Sequence, residues 1–300
     1  MLGSWVRESV PSSLLCNWQE ALTSSTASVG MDADVGLDRN VDIWRQSCLK
    51  TYASIDQELK QNTETDSFHS GTTALTIVKQ GENLVAANVG DSRAVLATLS
   101  DDGSLVRWYH FSLPSTLGQI YPEEAERIKQ LKGLVFCLHD EPGVYRVWMP
   151  NGETPGLAIS RGFGDYCVRL WPDFCASCNT KKYNQQRPIC HLGPLGIRWG
   201  MFVCNVKLMF LLISGQVWDA ISNQEAVEIV SSTLDREKSA KKLVECAVRA
   251  WKYKKRGIAM DDISAICLFF HFTSSPPVHH HHPNLFTVSS NPQNRLQGFD

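Results

Sequence analysis

The 300-residue sequence lacks three features that would each have indicated a class of protein. Lys and Arg number 29 and Asp and Glu number 31, so the formal net charge of −2 shows no basic excess of the kind that a general nucleic-acid binder carries. No apolar run reaches the roughly 20 residues that a membrane-spanning helix needs, and the N-terminal residues contain no signal-peptide core. We expect neither nucleic acid nor a membrane as a partner.

The ten cysteines also lack the even, dense spacing of a small disulfide-stapled secreted domain. We interpret them as mostly reduced, which predicts a cytoplasmic location, a nuclear location or both. What the sequence does have is the composition of an ordinary globular chain, with 43% hydrophobic and 20% charged residues. Its length allows one large domain or two small ones with a sizeable core.

Apolar periodicity divides the chain into a folded middle and two poorly ordered ends. Residues 1–41 are rich in small polar residues and 273–300 in Pro, Ser, Asn and His, so we expect little order in the first and a disordered tail in the second. The span 42–272 reads as one domain, although its segment 169–205 shows no steady periodicity. The domain begins with a helix over 42–60, whose apolar residues recur at steps of three and four.

Within the domain, short apolar runs predict strands and two further patterns predict helices. Gly90-Asp91 between two of the runs predicts a tight hairpin turn, and Ser222 with Glu225 forms a capping box that starts a helix. The predicted strands are 72–78, 84–89, 93–97, two runs within 134–149, buried strands within the apolar stretch 199–213 that include 207–213, and 263–270. The predicted helices are 122–131, 222–232 and 240–251.

Three acidic residues stand beside glycine or turn residues at predicted strand ends: Asp91, Asp165 and Asp261. Carboxylates in such positions can converge above a sheet and bind hard divalent cations through oxygen, and two such ions can activate a water against a phosphoryl group. The alternative is that each acid caps backbone N–H groups of its own turn.

Six ordered strings carry a more specific signal than this spacing. They are SGTTA (70–74), ANVGDSRAVL (87–96), PEEAERI (122–128), PGLAISRGFGDY (155–166), VWDAISNQEAV (217–227) and DDISAICLF (261–269). Together they resemble the plant branch of the 2C-type metal-dependent protein serine/threonine phosphatases. The resemblance covers most of 42–168 and 207–272.

The resemblance implies a fold and an activity. The expected fold is α/β in the loose sense: two stacked antiparallel β-sheets flanked by helices, here incomplete at the N-terminus. The implied activity is hydrolysis of phosphoserine and phosphothreonine by a metal-bound water, with two Mg²⁺ or Mn²⁺ ions as cofactors. The implied partners are phosphoprotein substrates or regulators, and the chain is expected to be a monomer.

The resemblance also assigns site residues. Asp261 matches the family's C-terminal metal-ligand aspartate, and Asp262 stands beside it. Asp91 matches an aspartate that we interpret as mainly structural, ordering the predicted hairpin. Arg161 and Asp165 match positions that flank the site, and Gly162, between them, stands where the family usually has Ala.

Two departures affect the metal ligands. The family's Asp-Gly-His-Gly segment, expected upstream of residue 42, has no counterpart in 1–41, because the acidic Asp32, Asp34 and Asp38 do not form that motif. Gly215 occupies the position of another metal-ligand aspartate, in the string Ser-Gly-Gln before Val217. We therefore predict a phosphatase-family chain with impaired catalysis. The alternatives are a non-catalytic pseudophosphatase that binds phosphoproteins or regulators, and a translation product with no function.

The third departure is the segment 169–205, which does not align with the family. Its abrupt limits are typical of a retained intron or a reading-frame error, and a real insertion is the alternative. A zinc site is a rival interpretation of its cysteines, although a second Cys-x-x-Cys pair is missing. The residues concerned are Cys175, Cys178, Cys190, His191 and Cys204.

Two further clusters have ordinary explanations beside functional ones. The run His279 to His282 can bind metal but lies in the tail predicted to be solvated. The basic run Lys252 to Arg256 can be a nuclear signal, but cations also suit the C-terminal end of a helix.

Overall fold

The computed structural model describes about two thirds of the chain. Described residues are 2–26, 36–81, 83–99, 105–111, 122–130, 132–139, 141–143, 145–149, 152, 156–169, 198–203, 208–213, 215–255, 260, 262–270 and 284–290. Within these ranges no helix is both long and apolar enough to cross a membrane.

The described residues form seven α-helices, a 3₁₀ turn and eleven strands. The helices are α1 (Leu2–Thr26), α2 (Gly36–Gln61), α3 (Pro122–Gln130), α4 (Tyr166–Arg169), α5 (Gly215–Ala220), α6 (Asn223–Ser231) and α7 (Ser239–Lys254), and the 3₁₀ turn is Arg236–Lys238. The strands are β1 (Gly71–Gln80), β2 (Asn83–Val89), β3 (Arg93–Leu99), β4 (Leu105–Phe111), β5 (Leu134–Cys137), β6 (Tyr145–Trp148), β7 (Phe163–Gly164), β8 (Arg198–Val203), β9 (Leu208–Ile213), β10 (Ala265–Phe270) and β11 (Asn284–Ser290).

The chain divides into two compact units. The first comprises Met1–Val89, Arg161–Cys204 and Pro276–Ser289, and the second Gly90–Ser160, Asn205–Ser275 and Ser290–Asp300.

The first unit contains a sheet with strand order β11-β1-β2-β8, in which β7 also pairs with β1. The β1–β2, β2–β8 and β1–β7 pairs are antiparallel. Alternate residues of β1 and β2 join the apolar core against α1 and α2, including Ala74, Val78 and Val85, all essentially inaccessible to solvent. The sheet thereby has a buried layer supplied by the two long N-terminal helices.

Helix α1 differs from the poorly ordered segment expected for residues 1–41. Leu2, Val6, Val10 and Leu14 recur at steps of four and are all buried against α2. Farther along the same helix, the ring of Trp18 stacks on Trp44 of α2 at a centroid distance of 5.4 Å. Pro11 and several serines lower the helix propensity of this segment, so its sequence does not predict a helix. The helix forms because its apolar residues pack against α2.

Helix α2 confirms the predicted helix and extends it to Gly36–Gln61. Tyr52 is fully buried in the core, and its hydroxyl lies 2.9 Å from Thr76 Oγ1 and 3.1 Å from the Ala87 carbonyl, to which it donates. The neighbouring Cys48 is fully buried as well, and this burial raises the pKa of its thiol to about 12. The hydroxyl of Tyr52 therefore provides polar contacts between the apolar face of the helix and the sheet.

The second unit is built on a sheet with strand order β10-β9-β3-β4. Helices α5, α6 and α7 supply its core, with Val217, Val227, Leu243 and Trp251 among the buried residues. The predicted capping box is confirmed, because both of its hydrogen bonds are present. Glu225 N–H donates to Ser222 Oγ at 3.2 Å, and Ser222 N–H donates to Glu225 Oε2 at 2.7 Å.

A separate antiparallel pair, β5–β6, also belongs to the second unit. Phe136 and Trp148 stack across it at a centroid distance of 4.8 Å, and Trp148 leaves no room for a side chain at Gly156. Val147 exchanges two backbone hydrogen bonds with Leu157, of 2.8 and 2.9 Å. These contacts tie the pair to the chain that leads into the string around Arg161.

Two other expectations differ from the structure. β2 and β3 do not form a hairpin around Gly90-Asp91, because β2 pairs with β1 and β8 while β3 pairs with β4 and β9. Part of the tail beyond residue 273 is ordered as β11, which pairs with β1, far away in sequence, so the composition of the tail contains little trace of it. β8 and β9, in contrast, confirm the strands expected within 199–213.

Candidate active site

Strand register brings three of the predicted site positions to one end of the sheet in the second unit. Arg93, the first residue of β3, pairs with Ile213, the last of β9, and Ile213 pairs in turn with Ala265, the first of β10. Asp91 lies two residues before the start of β3, Gly215 two residues after the end of β9, and Asp262 three residues before the start of β10. All three positions are therefore close in sequence to this end of the sheet.

Asp91 lies half-buried in the link between β2 and β3. Because those strands belong to different sheets, Asp91 does not order a hairpin, which corrects that part of its predicted role. The residue that organises this region is Arg93, which the sequence analysis did not single out. Its Nη1 donates to Asn223 Oδ1 at 2.9 Å, and its guanidinium lies 4.9 Å from the centre of the Trp218 ring.

These contacts of Arg93 join two of the sequence strings. Trp218 is in α5 and Asn223 is the first residue of α6, so one side chain holds both helices against the start of β3. Helix α5 begins at Gly215. The signal that pointed to Arg93 was its presence in ANVGDSRAVL, but only the fold shows that its partners come from VWDAISNQEAV.

In the first unit, Asp165 directly follows β7, whose last residue, Gly164, pairs with Gly71 at the start of β1. Its backbone has φ of 50°, in the left-handed region that non-glycine residues rarely adopt. The Asp165 N–H donates to the Ser70 carbonyl at 2.9 Å. Its carboxylate lies directly against Gly71, where any Cβ would overlap Oδ2. The glycine of SGTTA is therefore explained by the aspartate of SRGFGD.

The residue after Asp165 anchors this turn to α2. Tyr166 is buried, and its hydroxyl donates to the Asp56 carbonyl at 2.7 Å and lies 3.0 Å from Asp56 Oδ1. Lys60 Nζ completes the group at 3.4 Å from Asp56 Oδ2 and 5.3 Å from the centre of the Tyr166 ring. Arg161, at the start of the same string, is half-buried.

A third contact links PEEAERI to the last serine before Arg161. Arg127 forms a fork with Glu124, with distances of 2.9 and 2.6 Å, and Ser160 Oγ donates to Glu124 Oε1 at 2.7 Å. The Arg127 and Glu124 side chains are only 14% and 13% exposed, so this pair is shielded from solvent more than a surface ion pair. The glutamate thus has a structural role within the second unit.

The donor set in the described residues does not fit a pair of divalent ions. No group of three or more His, Cys, Asp or Glu side chains within these residues is arranged to hold a metal. Gly215 brings no donor to the start of α5, and the one predicted ligand, Asp261, lies outside the described residues. Among the residues that the structure describes, the ends of these strands therefore carry no set of side chains arranged to hold a metal.

The other candidate metal ligands lie outside the residues that the structure describes. These are the zinc candidates Cys175, Cys178, Cys190, His191 and Cys204, the run 279–282, and the acids Asp32 and Asp34. Asp38 belongs to the first turn of α2, without a described side chain.

Comparisons with known proteins agree with the six strings. A family model for protein phosphatase 2C matches residues 37–254. Probable protein phosphatase 2C 73 of Arabidopsis thaliana is 49% identical over 280 residues, which cover 92% of this chain and 69% of that protein. Probable protein phosphatase 2C 34 of Arabidopsis thaliana is 51% identical over 272 residues, covering 91% and 69%. Probable protein phosphatase 2C 48 of rice is 47% identical over 273 residues, covering 91% and 71%.

The fold agrees as well. The crystal structure of serine-threonine phosphatase 2C from Toxoplasma gondii matches with a TM-score of 0.66 at 20% identity, covering 90% of this chain and 81% of that one. This likeness confirms the predicted α/β fold of antiparallel sheets with helices.

The chain belongs to the protein phosphatase 2C family. The predicted resemblance and its function class, protein serine/threonine phosphatase, are thereby confirmed. Metal binding, with two Mn²⁺ or Mg²⁺ ions, is a general feature of this family, and phosphoproteins are its substrates.

Proposed function

We propose that this chain binds phosphoproteins of the kind its family dephosphorylates and that its own hydrolysis of phosphoserine and phosphothreonine is strongly impaired. The observation that carries the proposal is the position of Gly215. It begins α5 two residues after Ile213, whose register places it beside the start of β3 and of β10. A carboxylate at this position would reach the end of the sheet to which Asp91 and Asp262 belong.

Electrostatics explains why the loss of one carboxylate would matter. Two divalent ions about 4 Å apart repel each other strongly, and several anionic oxygen ligands must offset that repulsion. Gly215 supplies none. With a carboxylate missing, we expect weak binding of Mn²⁺ or Mg²⁺ and a loss of hydrolysis of about a hundredfold or more.

The test is a comparison of the chain with Gly215→Asp, using Gly215→Ala as the matched control. Hydrolysis of a phosphothreonine peptide is measured with increasing Mn²⁺, and Mn²⁺ binding by isothermal titration. We expect the chain and Gly215→Ala to be nearly inactive without a tight Mn²⁺ site, and Gly215→Asp to gain affinity for Mn²⁺. Robust Mn²⁺-dependent hydrolysis by the unaltered chain, with two tight sites, would refute the proposal.

A second candidate is a purely non-catalytic pseudophosphatase. The observation that favours it is that residues around position 215 keep their contacts although the carboxylate is missing. Arg93 still contacts both Trp218 and Asn223. This candidate predicts phosphopeptide binding with no hydrolysis in Gly215→Asp either. A chain with no function predicts neither binding nor a cooperative thermal transition. We propose further that the protein is monomeric and located in the cytoplasm, the nucleus or both.

A further inference from the structure

One short stretch of this protein carries a large net positive charge. Residues 236–256 contain nine Lys and Arg against two Glu, a net charge of +7. The rest of the chain contains 20 Lys and Arg against 29 Asp and Glu, a net charge of −9. The near-neutral total of −2 therefore conceals a strongly basic segment in an otherwise acidic protein.

Most of this segment is helix α7, and the fold separates its charged face from its apolar face. Leu243, Ala247 and Trp251 are buried in the core of the second unit. At 100° per residue, the opposite side of the helix is a stripe about 120° wide. It contains Lys241, Lys242, Arg249, Lys252, Tyr253 and the single acid Glu245, all exposed. We call these six residues the α7 stripe.

The cations of the α7 stripe are available for a partner. Among the described residues, Lys241, Lys242 and Lys252 form no ion pair, and Arg249 donates to the Glu245 carbonyl at 3.3 Å and lies 3.4 Å from Cys246 Sγ. Tyr253 is 76% exposed at the end of the stripe. Tyrosine and arginine are both enriched at protein interfaces.

We propose that the α7 stripe is a docking surface for an acidic segment of a protein partner. From Lys241 to Lys252 the stripe runs for about 17 Å, the length of about five residues of an extended peptide. A run of Asp, Glu or phosphorylated residues along it would meet the cations in turn, with Tyr253 packing against its aliphatic parts. That the partner is a phosphoprotein rests on the proposed function, whereas the charge of the surface does not.

Two other anionic partners fit the stripe less well. A membrane-bound amphipathic helix inserts its apolar face into lipid, but the apolar face of α7 is already committed to the core. Nucleic acid attracts proteins through an extended basic surface, and the remaining net charge of −9 would repel it. A short acidic peptide needs only the stripe itself.

The experiment is fluorescence anisotropy with a labelled, unphosphorylated dodecapeptide rich in Glu and Asp, at 50 and 200 mM salt. The test variant is Arg249→Glu/Lys252→Glu. Its matched control is Arg7→Glu/Lys129→Glu, which makes the same charge change at exposed positions of α1 and α3. A second test variant, Arg249→Gln/Lys252→Gln, removes the cations without adding acids. Circular dichroism melting shows that each variant is folded.

We expect the chain to bind the peptide, more weakly at higher salt. The Glu variant should weaken binding about tenfold, the Gln variant about threefold, and the control less than twofold. Equal losses in the test and control variants would overturn the proposal, because general charge would then explain the binding. So would no binding of the peptide at all, or, in a parallel cosedimentation measurement, binding only to vesicles containing phosphatidylserine. Because the peptide has no phosphate, the result is independent of whether the chain hydrolyses or binds phosphorylated residues.

Discussion

At the scale of single residues, two of the sequence strings are explained by one close approach. Asp165 adopts a left-handed backbone conformation, which costs a non-glycine residue about 1 kcal/mol. Its carboxylate then lies where a side chain at position 71 would be, and Gly164, with φ of 74°, passes close to the Ser70 carbonyl. Strained residues that a buried framework holds in place are common at functional sites. This agrees with the predicted location of Asp165 beside the site.

The substitution Gly71→Ala tests this contact. The new methyl group overlaps Asp165 Oδ2 and Cγ, so we expect a loss of about 1–3 kcal/mol in the free energy of unfolding. The loss should be smaller when Asp165→Gly is present as well, because that change removes the carboxylate and suits the left-handed backbone. Chemical denaturation of the two single variants and the double variant measures the coupling. Strictly additive losses would contradict the proposed overlap.

At the scale of elements, α1 shows most clearly how packing overrides local preference. Its sequence has Pro11 in the interior and no acidic residue in its first turn, both unfavourable for an isolated helix. What holds it is the step of four from Leu2 to Leu14 against α2, together with the buried bond from Asn17 Nδ2 to Thr51 Oγ1 at 2.9 Å. A weak helix former thus becomes part of the core.

The substitution Leu14→Ala tests the contribution of α1 to stability. Leu14 is fully buried, so its truncation should cost about 2–5 kcal/mol, through lost apolar burial and the cavity left behind. Leu22→Ala, later in the same helix and 39% exposed, should cost less than about 1 kcal/mol. Urea denaturation followed by tryptophan fluorescence compares the two. Similar small losses for both would mean that α1 does not contribute to the core.

At the scale of the whole molecule, buried cysteine thiols and a buried tyrosine hydroxyl make the stability of the fold depend on pH in the alkaline range. Burial raises the pKa of Cys48 to about 12 and that of Cys267 to about 11, and it also raises the pKa of Tyr52. Each group keeps its proton in the folded protein at pH values where the unfolded chain has lost it. Between the ordinary and the raised pKa, the unfolded state binds fewer protons, and stability falls as the pH rises.

We therefore expect full stability below about pH 8.5 and a progressive loss from there to about pH 12. Each such group contributes a slope of about 1.4 kcal/mol per pH unit within its own window. Cys48→Ala should reduce the slope above pH 9 by about that amount, although the variant is less stable at neutral pH. Cys16→Ala, which removes an exposed thiol instead, is the matched control for the loss of a cysteine. Urea midpoints at a series of pH values measure both, and identical slopes in the two variants would refute the assignment.

Prediction from sequence succeeded where local pattern and final structure follow the same physics. The capping box at Ser222, the helix around Trp44 and the strand 208–213 depend on spacing within a few residues. It failed where the deciding contacts come from far away. β11 exists because it pairs with β1, and nothing within its own segment indicates that partner.

For the candidate site the division is similar. The strings identified Asp91, Arg161, Asp165 and Asp262 as positions near the chemistry and Gly215 as a missing carboxylate, and these assignments stay predictions. The structure added the roles of Arg93, Tyr166 and Asp56. Arg93 joins two strings that are widely separated in the chain, and Tyr166 joins a third string to Asp56 of α2. Side chains of this kind act through geometry, which residue types alone do not reveal.

By itself, the sequence determined the family, the class of reaction and the charge asymmetry between α7 and the rest of the chain. These follow from residue identity and order, which folding does not change. Only the tertiary structure decided that Arg93, Ile213 and Ala265 lie side by side, that α1 is a core helix and that four of the five basic residues of α7 form a single exposed stripe. Each of those facts depends on which segments, far apart in sequence, bury their apolar surfaces against each other, and this is decided only when the chain folds.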